Sequence, residues 1–392
     1  MLTKNIFFQN FKVKTLKINF KKSFFFNLKK DIYNEKNLLF SFTDKYKYSY
    51  KKNYINNLKK KFPIINLIGM GGSVLGSKAI YFFLKDRIKK KINFIDNLIS
   101  YRKELKKNNR RLNIIISKSG NTLETIVNLN TEIKAKDKNL IITENNKNII
   151  KKLATNLKAE VIDHKDYIGG RYSVLSEVGM IPAELMGLKV SKFKRLNYLV
   201  NNKKFVQSLC NNVEKTLSLI KMKKLNSIIL NYDEKSKNIF KWYQQLISES
   251  LGKKSKGILP IVSDMPKDNH SLLQLYLDGP KNNFFTFHYV FDERSNIITN
   301  KNLPTKLIFL NKKKVSDIIY VQKKATENIF LKKNIPFRSF EIFNRNEETL
   351  GELFSFFVLE TILLGRALKV NPFDQPSVEL IKKETKKIFL KN

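Results

Sequence analysis

The sequence predicts an α/β protein of two doubly wound units, each a parallel sheet between helical layers, with C-terminal helices packed across them. Three observations predict it. Short apolar runs end in Gly/Ser turns and pass directly into helical patterns, as successive β-α-β units do. The pattern occurs twice, on either side of a polar Lys/Asn-rich stretch at residues 201–226. The length, 392 residues, accommodates two or three domains with a large core.

The first unit opens with an apolar run at residues 63–68 that breaks into Gly69, Gly71 and Gly72. A helix is expected from about 74 to 85. Residues 112–116 repeat the logic, running into Ser117 and then a helix from about Thr122, and 140–143 read as a further strand. A connecting helix is expected within 201–226. The second unit then begins with a strand at 227–230, a helix at 237–251 and a strand at 258–262. Further strands are expected at 284–290 and 306–310. Two helices, about 347–368 and 377–390, close the chain around the turn Asn371-Pro372-Phe373-Asp374. The expected divisions are an N-terminal segment at 1–50, a first domain at 51–205, a second at 206–345 and C-terminal helices at 346–392.

Composition narrows the function classes. Hydrophobic residues make up 42% and aromatics 12%, which excludes a disordered chain. Cys210 is the only cysteine, so no intramolecular disulfide forms, and a reducing, cytoplasmic setting is expected. The most apolar long run, 350–368, is interrupted by Glu352, Glu360 and Arg366 and reads as a buried helix rather than a membrane span. The first thirty residues are basic and Phe-rich but lack Arg, so they read as a segment packed on the body, not a targeting peptide. The net charge of +41 is spread along the whole chain, with lysine mixed among Asn, Ile and Phe. All four use A/T-rich codons, so nucleotide bias accounts for the charge without a nucleic-acid partner, which would require a clustered stripe. The charge can still draw in a dianionic substrate.

Three turns carry chemistry. Gly69-Met70-Gly71-Gly72-Ser73 joins a strand to a helix, where free N–H groups and the dipole favour an anion. Val74 occupies the position of the third glycine of a dinucleotide fingerprint, and no Gly-Lys-Ser/Thr ending follows, so neither nucleotide motif is present. Alone, this turn serves equally well as a purely structural one. The second turn places hydroxyls at Ser117, Ser119, Thr122 and Thr125, with Lys118 adjacent, and suits a phosphate monoester. One hydroxyl would serve as a helix cap; four within nine residues exceed that need. The third, Asp166-Tyr167-Ile168-Gly169-Gly170-Arg171-Tyr172-Ser173, presents Arg171 from paired glycines, where a fixed cation can stabilise a developing oxyanion.

This third segment resembles the first signature of glucose-6-phosphate isomerases, and further segments agree in order. Gln244-Gln245-Leu246-Ile247-Ser248-Glu249-Ser250-Leu251-Gly252-Lys253 is similar to the family's base-bearing helix end, and Asp268-Asn269-His270-Ser271 to its histidine segment. Residues 371–382, from Asn371-Pro372-Phe373-Asp374-Gln375 to Lys382, resemble the C-terminal signature. The glycine and Ser/Thr turns match the two early motifs. The resemblance spans residues 67–383, with poor agreement in the first fifty and at about 300–345.

It implies two sugar-isomerase (SIS) domains in a dimer, a sugar-phosphate substrate, and no metal or organic cofactor. By the match, Glu249 is the base that moves a proton between C2 and C1, since a carbon-bound proton needs a poised base. Arg171 stabilises the enediolate; His270, reaching across from the other subunit, and Lys382 handle ring opening. Glu124 orients His270. Gly72, Ser73, Gln245 and Gln375 line the sugar and phosphate positions beside the hydroxyl turn, and the C-terminal helices complete the site. His164 and His288 have no matching role. The chain departs from the pattern at Leu251, Glu177 and Pro376-Ser377, of which Leu251 and Glu177 bear on pocket shape. Activity on mannose 6-phosphate as well, or sugar-phosphate sensing without catalysis, are the competing functions; an amidotransferase would need an N-terminal cysteine, and Cys210 lies mid-chain.

Overall fold

The computed structural model describes residues 1–13, 23–100, 110–133, 137–292, 297–300 and 303–391; residues 14–22 of the basic N-terminal segment lie outside them. In chain order, β1 (Ile6–Gln9), α1 (Ser23–Ile32) and α2 (Lys52–Lys61) precede the first sheet. That sheet is built from β2 (Ile64–Ile68), α3 (Gly72–Phe83), β3 (Lys91–Ile95), β4 (Arg111–Ile116), α4 (Leu123–Glu132), β5 (Lys138–Thr143), α5 (Ile149–Asn156) and β6 (Glu160–Asp163). Its five strands are all parallel, in the order β3-β2-β4-β5-β6. The near-continuous Ile/Leu of β2, β4 and β5 reflects helices covering both faces.

An asparagine ladder crosses this sheet. Asn93 donates to Asn66 (2.9 Å), Asn66 to Asn113 (2.8 Å), Asn113 to Asn139 (2.9 Å), and Asn139 to the Leu157 carbonyl (3.0 Å). The four residues sit at matched register positions on β3, β2, β4 and β5. A one-residue slip would carry each amide to the opposite face, so the ladder fixes the register as firmly as the apolar pattern does.

Then α6 (Glu177–Leu185), α7 (Leu196–Asn201) and α8 (Lys203–Lys221) lead to the second sheet. It comprises β7 (Asn226–Asn231), α9 (Lys237–Leu251), β8 (Leu259–Asp264), α10 (Leu273–Asp278), β9 (Asn283–Val290), α11 (Val315–Lys332) and β10 (Phe337–Ile342). The order is β1-β10-β9-β7-β8, parallel except for β1, which pairs antiparallel with β10 in the register Ile6↔Ile342. The N-terminal segment therefore supplies an edge strand to the second sheet.

The strand expected at 306–310 is instead a short 3-10 turn, Thr305–Leu310, with no buried residue. Its place in the sheet is taken by β10, whose Arg338 and Glu341 disguise it in sequence. Every residue of β10 is buried because these charges are partnered: Arg338 with Glu360, Asn212 (2.9 Å) and Thr286 (2.9 Å), and Glu341 with Lys323 (2.7 Å).

The long helix α12 (Glu347–Ala367) is buried nearly throughout, packs on α8 and α9, and finds hydrogen-bond donors for its interior acids Glu352 and Glu360. Glu360 takes Arg338, Asn212 and Tyr243, while Glu352 takes Thr3 (2.7 Å) and Asn5 (3.2 Å) from the strand edge. The final helix, α13 (Val378–Phe389), differs: none of its residues is buried. Among the described residues, no helix is long and apolar enough to cross a membrane.

Replacing the central rung of the ladder, Asn113→Ala, strands the amide of Asn66 and removes one donor from the carbonyl oxygen of Asn139. The expected loss is about 1–3 kcal/mol for the stranded amide, read as a lower midpoint in urea with an unchanged slope.

Candidate active site

Two turns at the ends of strands of the first sheet, the glycine turn after β2 and the Gly-Gly-Arg turn after β6, are in close contact. Gly71, at the end of the glycine turn, has φ +52, a left-handed conformation that glycine adopts without strain. A Cβ on Gly72 would lie 2.3 Å from the carbonyl carbon of Gly170 and 2.6 Å from the amide of Arg171. Gly72 is thus a glycine because the Gly-Gly-Arg turn rests directly upon it. Gly72 packs at this contact, and Ser73 is half-buried in the first turn of α3.

Arg171 is 2% exposed, and all five of its N–H groups are matched. Nε donates to Ser250 Oγ (2.8 Å). Nη1 donates to Glu249 Oε2 (3.1 Å) and Gln375 Oε1 (2.7 Å). Nη2 donates to the carbonyls of Pro372 (2.7 Å) and Asp374 (3.0 Å). The Tyr172 hydroxyl, whose pKa burial pushes up, donates to the same Pro372 carbonyl (2.9 Å) and contacts Ser250 Oγ (2.8 Å). Lys253 completes the clamp, bonding the Asn371 carbonyl and pairing with Asp374 (2.7 Å), which holds that carboxyl below its ordinary range. Three separate sequence motifs converge on one guanidinium.

Glu249 lies on the last turn of α9, with its side chain 30% exposed. One carboxylate oxygen faces Arg171; the other accepts from Gln245 Nε2 (2.9 Å), one turn earlier on the same helix face. The Gln245 carbonyl oxygen is buried with no partner, an acceptor left open beside the carboxylate. This carboxylate is held at both oxygens yet still reaches solvent, as a base that must meet a substrate requires.

In the hydroxyl turn, Ser117 Oγ bonds Thr122 Oγ1 (3.0 Å), and the Ser119 hydroxyl accepts from the Asn121 amide (3.3 Å). Thr122 is the N-cap residue of α4, but its side chain does not cap the helix. The hydroxyls are therefore not there to finish the helix end, which leaves its positive pole available to an anion. Thr125 Oγ1 is buried without a partner. Lys118 bonds the Asp166 carbonyl (2.7 Å) and approaches Glu144 (3.4 Å), joining this turn to the Gly-Gly-Arg segment.

Two catalytic candidates lie apart from the cluster. His270 is exposed in the short turn after β8, and no hydrogen bond among the described residues links it to Glu124, which is half-buried on α4. Lys382 is on the exposed helix α13, paired with Glu379 (2.6 Å) one turn earlier. His164 and His288 are buried, and burial pushes His288 down to about 4. Leu251 is fully buried in the core. Glu177, also buried, accepts from Tyr46 Oη (2.8 Å) and from the Ser49 amide (2.8 Å) and hydroxyl (3.0 Å), anchoring the N-terminal segment. Sequence reading assigned no role to Ser250, Tyr172 or Lys253, although each stands beside a residue it did single out.

Residues 34–260 match the phosphoglucose isomerase family. A glucose-6-phosphate isomerase of Methanocaldococcus jannaschii is 33% identical over 341 residues, covering 81% of this chain and 82% of that protein. Among solved structures, a hypothetical protein from Thermus thermophilus superposes with a TM-score of 0.76 at 21% identity over 86% of each chain. A glucose-6-phosphate isomerase from Chlamydia trachomatis does so with 0.68 at 19% identity, over 86% of this chain and 72% of that one. These two likenesses concern the fold. By the family match and by the similarity to the curated relative, the chain belongs to the phosphoglucose isomerase family.

Proposed function

We propose that this protein interconverts glucose 6-phosphate and fructose 6-phosphate, moving a proton between C2 and C1 through a cis-enediolate, in glycolysis and gluconeogenesis. The observation that carries the reading is the Glu249 carboxylate, fixed by Gln245 and Arg171 and still open to solvent. In this reading the substrate's phosphate sits on Ser117, Ser119, Thr122 and Thr125 at the N-terminus of α4. Glu249 removes the C2 proton and returns it to C1. Negative charge then develops on the substrate oxygens beside Arg171. Nη1 is the arm available to it, because its partners are the movable side chains of Glu249 and Gln375, whereas Nη2 holds backbone carbonyls. A proton shift of this kind asks for no metal or organic cofactor.

Ring opening falls to His270 and Lys382. The exposure of both fits a cytoplasmic homodimer in which His270 enters the partner's site and is met there by Glu124. Lys382 follows Gln375 by two helical turns, and the Arg171 clamp already holds the root of that segment. Closing α13 onto the site would deliver the ammonium. A pure sensor would have no use for a base held this way, and activity on mannose 6-phosphate, an epimer at the reacting carbon, is read in the same coupled assay.

Glu249→Gln is expected to fold normally and to lose activity by about a thousandfold, the scale of a general base; equal activity would sink the assignment. Cross-subunit supply of His270 has its own test. His270→Ala and Glu249→Gln homodimers are each expected to be inactive, but co-refolding equal amounts places both lesions in one site of each hybrid and leaves the other intact. About a quarter of parental activity should return, since about half the dimers are hybrids. No recovery would place His270 in its own chain's site.

A further inference from the structure

A cavity of about 750 Å³ lies between the N-terminal segment, α2 and the loop after α6, and shares no lining residue with the Arg171 cluster or the hydroxyl turn. Its size is that of a small-molecule site. One wall is aromatic. The Tyr46 and Tyr48 rings meet edge to face at 5.3 Å, and those of Tyr48 and Tyr50 lie 5.0 Å apart at 33°. This wall is fixed in place, because Glu177 holds Tyr46 and Ser49 on either side of Tyr48. The Tyr48 hydroxyl is nonetheless buried with no hydrogen-bond partner, a cost a protein rarely leaves unmet where nothing binds.

Five lysines also line it. Lys52, Asn56 and Lys59 form one stripe along α2, and Lys47 and Lys189 face them from the flanking loops. None of these four lysines makes an ion pair among the described residues, and the lining holds only two acids, Asp44 and Glu184. Lys194 lies deeper, 5.0 Å from the Tyr46 ring and 4.8 Å from that of Tyr48, where burial lowers its ammonium to about 7. Unpaired cations converging on a rigid aromatic wall match a ligand that carries several negative charges and a planar ring.

We propose that this cavity binds a nucleoside triphosphate, its base against Tyr46, Tyr48 and Tyr50 and its phosphates at Lys47, Lys52, Lys59 and Lys189. The polar edge of the nucleoside would supply the partner that Tyr48 lacks. A sugar phosphate would leave the aromatic wall idle, and inorganic polyphosphate would do the same.

The test is isothermal titration of the full chain with ATP in 0.15 M salt, with fructose 6-phosphate saturating the phosphate turn. One ATP per chain is expected, with pyrophosphate and adenosine each at least tenfold weaker. The Lys52→Ala/Lys59→Ala double variant should weaken ATP at least tenfold, and Tyr48→Phe should weaken it measurably. Should the double variant fail to fold by circular dichroism, Lys47→Glu/Lys189→Glu, at exposed loop positions, gives the same readout. No binding at millimolar ATP overturns the proposal. So do displacement of ATP by fructose 6-phosphate, pyrophosphate binding as tightly as ATP, or lysine variants that bind ATP like the parent. If the isomerase reading itself fails, fructose 6-phosphate produces no binding heat of its own, and the ATP titration stays interpretable.

Discussion

The site depends on the saturation of one buried guanidinium. Arg171 extends from the turn after β6 of the first sheet, reaches the end of α9 beside the second, and holds the turn that precedes α13. A buried cation without partners would be costly, so each of those carbonyls and side chains is constrained as much as it constrains. An ammonium, with its compact charge and three donors, could not hold five partners in a plane. The glycines follow from the same demand. Gly72 has no side chain because the backbone carrying Arg171 must rest on it, and Gly71 lies against Gln245, which holds the base.

Around this node the scaffold is stiff for identifiable reasons. The asparagine ladder fixes the first sheet sideways, through hydrogen bonds that survive only in one register. The second sheet is fixed from behind by α12, whose Glu360 and Glu352 tie β10 and the N-terminal strand to one helix. Turn positions at the sheet ends are thereby set before any ligand arrives. That is what a proton transfer between adjacent carbons requires, because a misplaced base reaches neither.

Much of this was legible in the sequence, and the illegible parts have a common cause. Strands such as β2, β4 and β5 announce themselves because both faces are buried, and α9 was bounded by its own turns. Missed elements were those whose burial relies on a distant partner. Arg338 and Glu341 make β10 read as surface until Glu360 and Lys323 are seen beside them. The apolar run at 306–310 imitated a strand but has no neighbouring strand to pair with. β1 is four residues long and is defined by β10 and Glu352. Glu177 stood out as a departure from pattern, yet only the fold shows its purpose, which is to fasten Tyr46 and Ser49. In the site, the paired-glycine turn singled out Arg171 and the family resemblance pointed to Glu249, but neither indicated that Ser250 and Tyr172 pack at the guanidinium or that Lys253 ties down the turn it holds.

The residues outside the cluster share a further property. His270 and Lys382 occupy the exposed positions expected of groups that a second surface completes, and α13 carries Leu380, Ile381 and Phe389 at 65%, 72% and 69% exposure, with Leu390 just past its end at 75%. An amphipathic helix with that much uncovered apolar side chain is stable only against a partner surface. The Arg171 clamp fixes where this helix starts, through Pro372, Asp374 and Gln375, and leaves free where it lies. Fixing the root and not the blade is economical. Glu249, held by Gln245 and Arg171 yet 30% exposed, does not take its position from α13, and in the proposed reaction the group that acts on the ring would arrive with the covering surface. In the proposed reaction the guanidinium that contacts Glu249 also anchors the turn from which α13 and Lys382 extend, so chemistry at the two ends of the substrate would be coupled through one side chain.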